Sequence, residues 1–184
     1  MKNLFLNFSF ALLAFPLWSW GDQPRSSELQ IWAESEDVYV LHTHKAVAWT
    51  VERSELKIVT KGEGKEVFVT ETTPFTKLVS VEGGKYFAGL SDLQAGSLPH
   101  GYNFALFTPE GRFVSKVFVS RETGHCEKVR QSVSQYLGWF SRKPRIELVR
   151  SEGEISKIIV QSYYGDSKAC ELPVGEHLVH FENE

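Results

Sequence analysis

His42 and His44 are the first residues in this chain whose types and spacing could do chemistry. Alternate side chains of an extended strand share a face, so both imidazoles could reach one metal ion. A working site needs a third and usually a fourth ligand, and polar histidines at a strand end beside Lys45 are the simpler reading. The alternative function is therefore a metal-binding carrier or metal-dependent hydrolase using His42 and His44, with help from His100 or an acid.

A second constellation spans Asp92 to Gly101, the longest interval between apolar runs, and contains Ser97, Pro99 and His100. Ordered loops on rigid β scaffolds often carry binding groups. Ser91 or Ser97 with His100 and Asp92 would be the parts of a serine hydrolase. A nucleophile needs a rigid turn, a base in reach and an oxyanion hole, and the chain lacks the G-x-S-x-G elbow. Asp92, Ser97 and His100 are thus read as binding residues.

Among the large aromatic groups Trp32, Trp49, Trp139, Phe140, Tyr163 and Tyr164, an exposed flat row would stack on sugar rings or fill an interface pocket. Trp49 alternates with Val47 and Val51 and is expected in the core. Trp139, followed by Arg142 and Lys143, is the preferred surface candidate, an aromatic anchor beside a basic cluster, although packing against a neighbouring hairpin is the simpler reading. Glu34, Glu36 and Asp37 have neither the separation of glycosidase carboxylates nor EF-hand spacing. P-loop, Rossmann, zinc-protease and zinc-finger patterns are missing, and no cofactor is expected.

The elements that must position these residues read as short strands. Val38 to Leu41, Ala46 to Val51, Leu56 to Thr60, Glu66 to Thr70, Thr76 to Val81, Lys85 to Ser91, Tyr102 to Thr108 and Arg112 to Val119 have strand patterns with turn residues between them. Glycines at 62, 64, 83 and 84 suit hairpins. Tyr86 to Leu90 and Tyr102 to Phe107 are apolar on both faces, which predicts central strands covered on each side. Arg145 to Arg150 and Ile155 to Ser162 make another hairpin, with a turn at Tyr164 to Asp166. The segment 126–140 fits helix and strand equally. The expected fold is all-β or mainly β. An antiparallel β-sandwich-like domain occupies 22–120, and a smaller β-rich unit over 121–184 packs on it.

Residues 1–21 combine Lys2, an apolar run from Leu4 to Leu17 and small residues at Ser19 and Gly21, the pattern of a signal peptide cleaved before Asp22. A spanning helix needs about 20 apolar residues, so no transmembrane anchor is expected after cleavage, and the destination is periplasmic or secreted. In an oxidising compartment Cys126 and Cys170 are expected to bridge.

The chain has 184 residues and a formal net charge of −3, which argues against nucleic-acid binding. Charge is uneven, however: Arg121, Lys128, Arg130, Arg142, Lys143, Arg145 and Arg150 outnumber Glu122, Glu127 and Glu147. A solvated face is the simpler reading, and docking on anionic lipid or another polyanion is the other. The leading functional expectation is an exported non-catalytic binding or interaction domain whose partner is a protein, a glycan or an envelope surface.

Overall fold

Alternation of inward and outward side chains organises the protein into three stacked β layers. The computed structural model describes residues 26–47, 50–93, 98–131, 137–162 and 169–179. Strands β1 (Ser26–Glu34), β2 (Val38–Val47), β3 (Thr50–Thr60) and β4 (Glu66–Glu71) form a four-stranded antiparallel meander in sequence order. Next, β5 (Lys77–Val81), β6 (Tyr86–Leu90), β7 (Phe104–Phe107) and β8 (Phe113–Val117) pair antiparallel as the central sheet. A short pair, β9 (Arg130–Gln131) and β10 (Leu137–Gly138), leads to a three-stranded sheet of β11 (Ile146–Ser151), β12 (Glu154–Gln161) and β13 (Ala169–Leu172). Finally β14 (Gly175–His177) returns to the central sheet, parallel to β8.

The central sheet is apolar on both faces, as its sequence predicts, because a layer covers each. Phe87, Ala105 and Phe107 pack with Ala33, Val38, Val40, Leu56 and Ile58 of the β1–β4 meander. Ala88, Leu90, Phe104 and Leu106 face the other way, onto Trp139, Leu148, Ile158, Val160 and Leu172. A bulge in β8 adjusts this partition: Phe107 lies opposite Phe113 and Leu106 opposite Ser115, so Val114 is the extra residue. The bulge turns Phe113 toward the first core and Val117 toward the second.

The chain beyond residue 120 is tied into this stack in three ways. Its apolar residues share the second core, β14 extends the central sheet, and Arg150 donates to both carboxylate oxygens of Glu82, at 2.5 and 2.6 Å. Cys126 and Cys170 form the expected disulfide across an isolated β-bridge, both nearly free of solvent.

Sequence expectations fail at some element boundaries. β1 is absent from the expected strands, because its outward positions Glu28, Gln30, Trp32 and Glu34 mask the inward Ile31 and Ala33. The expected strand from Ala46 to Val51 is instead the junction of β2 and β3, where Val47 pairs with Thr50. In the ambiguous 126–140 segment the described ends are strands β9 and β10, and residues 132–136 lie outside the described residues. So do the expected leader at 1–21, Trp49 and the turn at Tyr164 to Asp166. Among the described residues no helix is long and apolar enough to cross a membrane.

Gly89 has a direct packing role: a Cβ there would lie 2.5 Å from the fully buried Phe75 ring. Gly89→Ala is expected to cost about 1–3 kcal/mol by overpacking, and combining it with Phe75→Leu should cost less than the sum of the single changes in urea titrations. The disulfide joins positions separated by 44 residues. Replacing both cysteines with alanine is expected to lower unfolding free energy by about 4 kcal/mol through loop closure, measured in the same titrations.

Candidate functional site

His42 and His44 do share a face, but the face points into the protein. Their ring centroids are 5.7 Å apart. The His42 ring is fully buried, and its Nε2 accepts a hydrogen bond from the Phe75 amide at 2.9 Å. Nδ1 therefore carries the proton of the neutral ring and faces Thr72 Oγ1 at 3.5 Å, while Ser54 Oγ lies 3.4 Å from Nε2. Burial, reinforced by repulsion from His44, lowers the His42 pKa to about 3. Burial lowers that of His44 as well, and its Nδ1 has no partner among the described residues.

A metal at His42 Nε2 would have to displace the Phe75 amide. Among the described residues no three His, Cys, Asp or Glu side chains gather as a cation site. His100, the proposed helper, is exposed and separated from His42 by the rings of Phe75 and Tyr102: His42–Phe75 is 5.1 Å, Phe75–Tyr102 6.3 Å and Tyr102–His100 6.3 Å between centroids. The structure uses His42 as a neutral acceptor where the chain crosses from β4 to β5.

The loop after β6 is likewise committed to packing at its start. Ser91 is fully buried, its Oγ accepts from the Leu93 amide at 3.3 Å, and its carbonyl accepts from Trp139 Nε1 at 2.8 Å. The Asp92 carbonyl accepts from the Leu137 amide at 2.5 Å, while its Oδ1 is buried without a partner among the described residues. Ser97 lies outside the described residues. Leu98 is buried, and Pro99 and His100 are the exposed residues of the loop among those described.

The surface-anchor reading of Trp139 is corrected by its complete burial: it is wedged edge-on against Phe104 and Phe140 and hydrogen-bonded to Ser91. Its apolar flanks, Leu137 and Phe140, belong to the same core, so the aromatic pair fills the layer interface. Arg142 and Lys143 are exposed, in the connection from β10 to β11. A cleft of about 260 Å³ between β8 and the β11–β12 turn is lined by Tyr86, Arg112, Phe113 and Glu154 among others, below the roughly 300–1,000 Å³ of ordinary ligand pockets.

A different surface stands out, the outer face of β1–β4. Register sets Trp32, Leu41, Lys57 and Val69 in one row across the four strands, with Tyr39 and Val59 adjacent in the next. Trp32 is 60% exposed, Tyr39 40%, Val67 48% and Val69 44%, the largest cluster of exposed apolar groups among the described residues. No ring or cation lies against Trp32 among the described residues, whereas Lys61 sits 4.7 Å over the Tyr39 ring. In the sequence Trp32 is one aromatic among several; the signal of its place is the alternation Gln30, Trp32, Glu34, which puts an indole on a polar face.

Most charges on this face are paired within it. Lys61 meets Glu34 at 2.7 Å, Arg53 meets Glu55 at 2.8 Å, and Lys57 bridges Glu55 at 3.2 Å and Glu66 at 3.4 Å. Burial opposes ionisation of Glu55, but Lys57 and Arg53 outweigh it and hold its carboxyl below the usual range. Hydrogen bonding to Glu55 raises Lys57, and hydrogen bonding to Glu34 raises Lys61. Comparison with protein-family models, with curated proteins and with solved structures yields no significant match.

His42 gives a signed pH dependence. It is neutral in the fold down to about pH 3 but protonates near pH 6.5 once unfolded. Its stabilising contribution is therefore complete above pH 6.5 and is lost toward pH 3, by about 1.4 kcal/mol per pH unit across that window. In urea titrations His42→Phe, which orphans the Phe75 amide, is expected to cost about 1–3 kcal/mol at pH 7.5. The gap between wild type and variant should narrow at pH 5; a constant gap would show that His42 is not buried neutral.

Proposed function

We propose that this protein is an exported, non-catalytic binding domain that uses the outer face of the β1–β4 sheet to hold an uncharged glycan. The observation that carries the reading is Trp32, an indole 60% exposed on an open sheet face whose charges are already paired. A solvent-facing indole costs apolar hydration unless something covers it. Sugar rings offer apolar C–H faces to an aromatic plane and hydroxyl groups to neighbouring donors and acceptors. Trp32 and Tyr39 provide the planes, while Lys57, Lys61, Glu34 and Glu66 provide hydrogen-bonding partners within the same face.

Two features favour a glycan over a protein partner. Protein interfaces are depleted of charge at their centre, yet Lys57 stands in the middle of the Trp32, Leu41 and Val69 row. The paired charges also leave little net field to recruit an ionic ligand. Export is supported by the disulfide, a bond of oxidising compartments, together with the leader pattern in residues 1–21.

Calorimetric titration with neutral β-linked hexasaccharides of glucose and of N-acetylglucosamine tests the proposal. Saturable binding is expected, weakened about tenfold or more in Trp32→Ala, since a central aromatic contributes on the order of 1–2 kcal/mol, and largely kept in Trp32→Phe. No binding across the panel would overturn the glycan reading. Self-association of the wild type that Trp32→Ala relieves would instead assign this face to a second copy of the chain.

A further inference from the structure

The cations of the β1–β4 face are paired with carboxylates, and so are Lys116 with Glu176, Arg150 with Glu82 and Lys157 with Glu171. Lys65, Lys77, Lys85, Arg112 and Arg121 make no ion pair among the described residues either; what sets Lys128, Arg130, Arg142, Lys143 and Arg145 apart is their grouping. All five are exposed, and none makes an ion pair among the described residues. The nearest carboxylates along the chain are Glu127 and Glu147, while Glu171, next to the disulfide, is taken by Lys157 at 2.6 Å.

The topology gathers these five cations at one end of the third sheet. Cys126 bridges to Cys170, Cys170 pairs with Val160, and Val160 pairs with Ile146, giving one continuous row. Adjacent strands are about 4.8 Å apart, so the row is roughly 14 Å across. Lys128 and Arg130 follow Cys126 at one end of the row, and Arg145 precedes Ile146 at the other. Reciprocal backbone bonds, Ser141 N to Gln161 O at 3.1 Å and Gln161 N to Arg145 O at 3.0 Å, hold the Arg142–Lys143 turn against β12. Arg130 pairs with Gly138, beside Trp139, whose carbonyl oxygen lies 3.4 Å from Cys170 Sγ. The disulfide and the buried Trp139 thus fix the base of this end, and the cations project from it.

We infer that this end is an electrostatic docking surface for the anionic phospholipid headgroups of a bilayer. Lysine and arginine near an anionic membrane each add about 1 kcal/mol of attraction, or roughly fivefold in affinity. Single-stranded nucleic acid is a poorer fit, because its binding grooves add aromatic stacking platforms to the cations and the neighbouring Trp139 and Phe140 are buried. The third sheet and the β1–β4 sheet cover opposite faces of the central sheet, so a bilayer at the cationic end leaves the Trp32 face open.

Co-sedimentation of the protein with vesicles of equal phosphatidylglycerol and phosphatidylcholine, against pure phosphatidylcholine vesicles, tests the inference. Binding is expected on the anionic vesicles alone and should weaken steeply between 50 and about 300 mM salt. The variant Arg130→Gln, Arg142→Gln, Lys143→Gln, Arg145→Gln is expected to bind roughly 100-fold or more weakly. Its thermal midpoint and intact disulfide mass certify the fold. The control Lys65→Gln, Lys77→Gln, at exposed lysines elsewhere, should bind as wild type does. Equal binding to both vesicle types, undiminished binding by the quadruple variant, or an equal loss in the control would overturn the inference. Tighter binding to a DNA duplex than to the anionic vesicles, lost in the same quadruple variant, would reassign the end to nucleic acid. Trp32→Ala should leave vesicle binding unchanged, which separates this surface from the glycan face.

Discussion

Strand β7 buries all four of its side chains, Phe104, Ala105, Leu106 and Phe107, and alternate residues of a strand face opposite ways. A sheet built around such a strand must be covered on both sides, because leaving either pair of side chains in water would forfeit about 1.5–3 kcal/mol for each large one. The β1–β4 meander supplies one cover and the disulfide-tied β11–β13 sheet the other. Each cover keeps a second face that is not packed on the central sheet. The bulge in β8, the Gly89–Phe75 contact and the Trp139–Ser91 bond are local adjustments that let three twisted layers close on one another.

The crossing between the first two layers raises a separate problem. Residues Thr72 to Phe75 run through the interior; the Thr72 amide still donates to Ser54 of β3 at 3.2 Å and Pro74 has no amide hydrogen, but the Thr73 and Phe75 amides need side-chain partners, and an unpaired buried one costs about 1–3 kcal/mol. His42 meets the Phe75 amide and Tyr102 the Thr73 amide, at 2.9 and 3.5 Å. Burial suits both roles: it lowers His42 to about 3 and raises the Tyr102 phenol to about 12, so each stays neutral at ordinary pH. His42, one of a pair that resembles half a metal site, is thereby explained by backbone accounting.

The two remaining surfaces have opposite chemistry. On the meander, ion pairs cancel most of the charges and leave an indole and a phenol ring as the distinctive groups; at one end of the third sheet, five exposed cations make no ion pair among the described residues. A neutral aromatic face and a cationic end differ in the forces they exert, one short-ranged and insensitive to salt, the other screened within about 8–10 Å at physiological ionic strength. Their separation by the central sheet allows both to be occupied together.

Strand identity was legible from the sequence wherever one residue pattern admitted one environment. The two-sided apolar runs of β6 and β7 announced a covered central sheet, the hairpin glycines marked turns, and the only two cysteines of the sequence pointed to each other. β1 was not legible, since its outward face carries as many conspicuous residues as its inward one. The sites were less legible still. Trp139 beside Arg142 and Lys143 reads as an exposed anchor, and Trp32 reads as one aromatic among several, yet burial reverses their ranks. Alternation along one strand is a local property and survives in the sequence. Whether a given face is then covered depends on a layer contributed from far along the chain, so the exposure of Trp32, the neutrality of His42 and the gathering of Lys128 to Arg145 were decided only when the three sheets stacked.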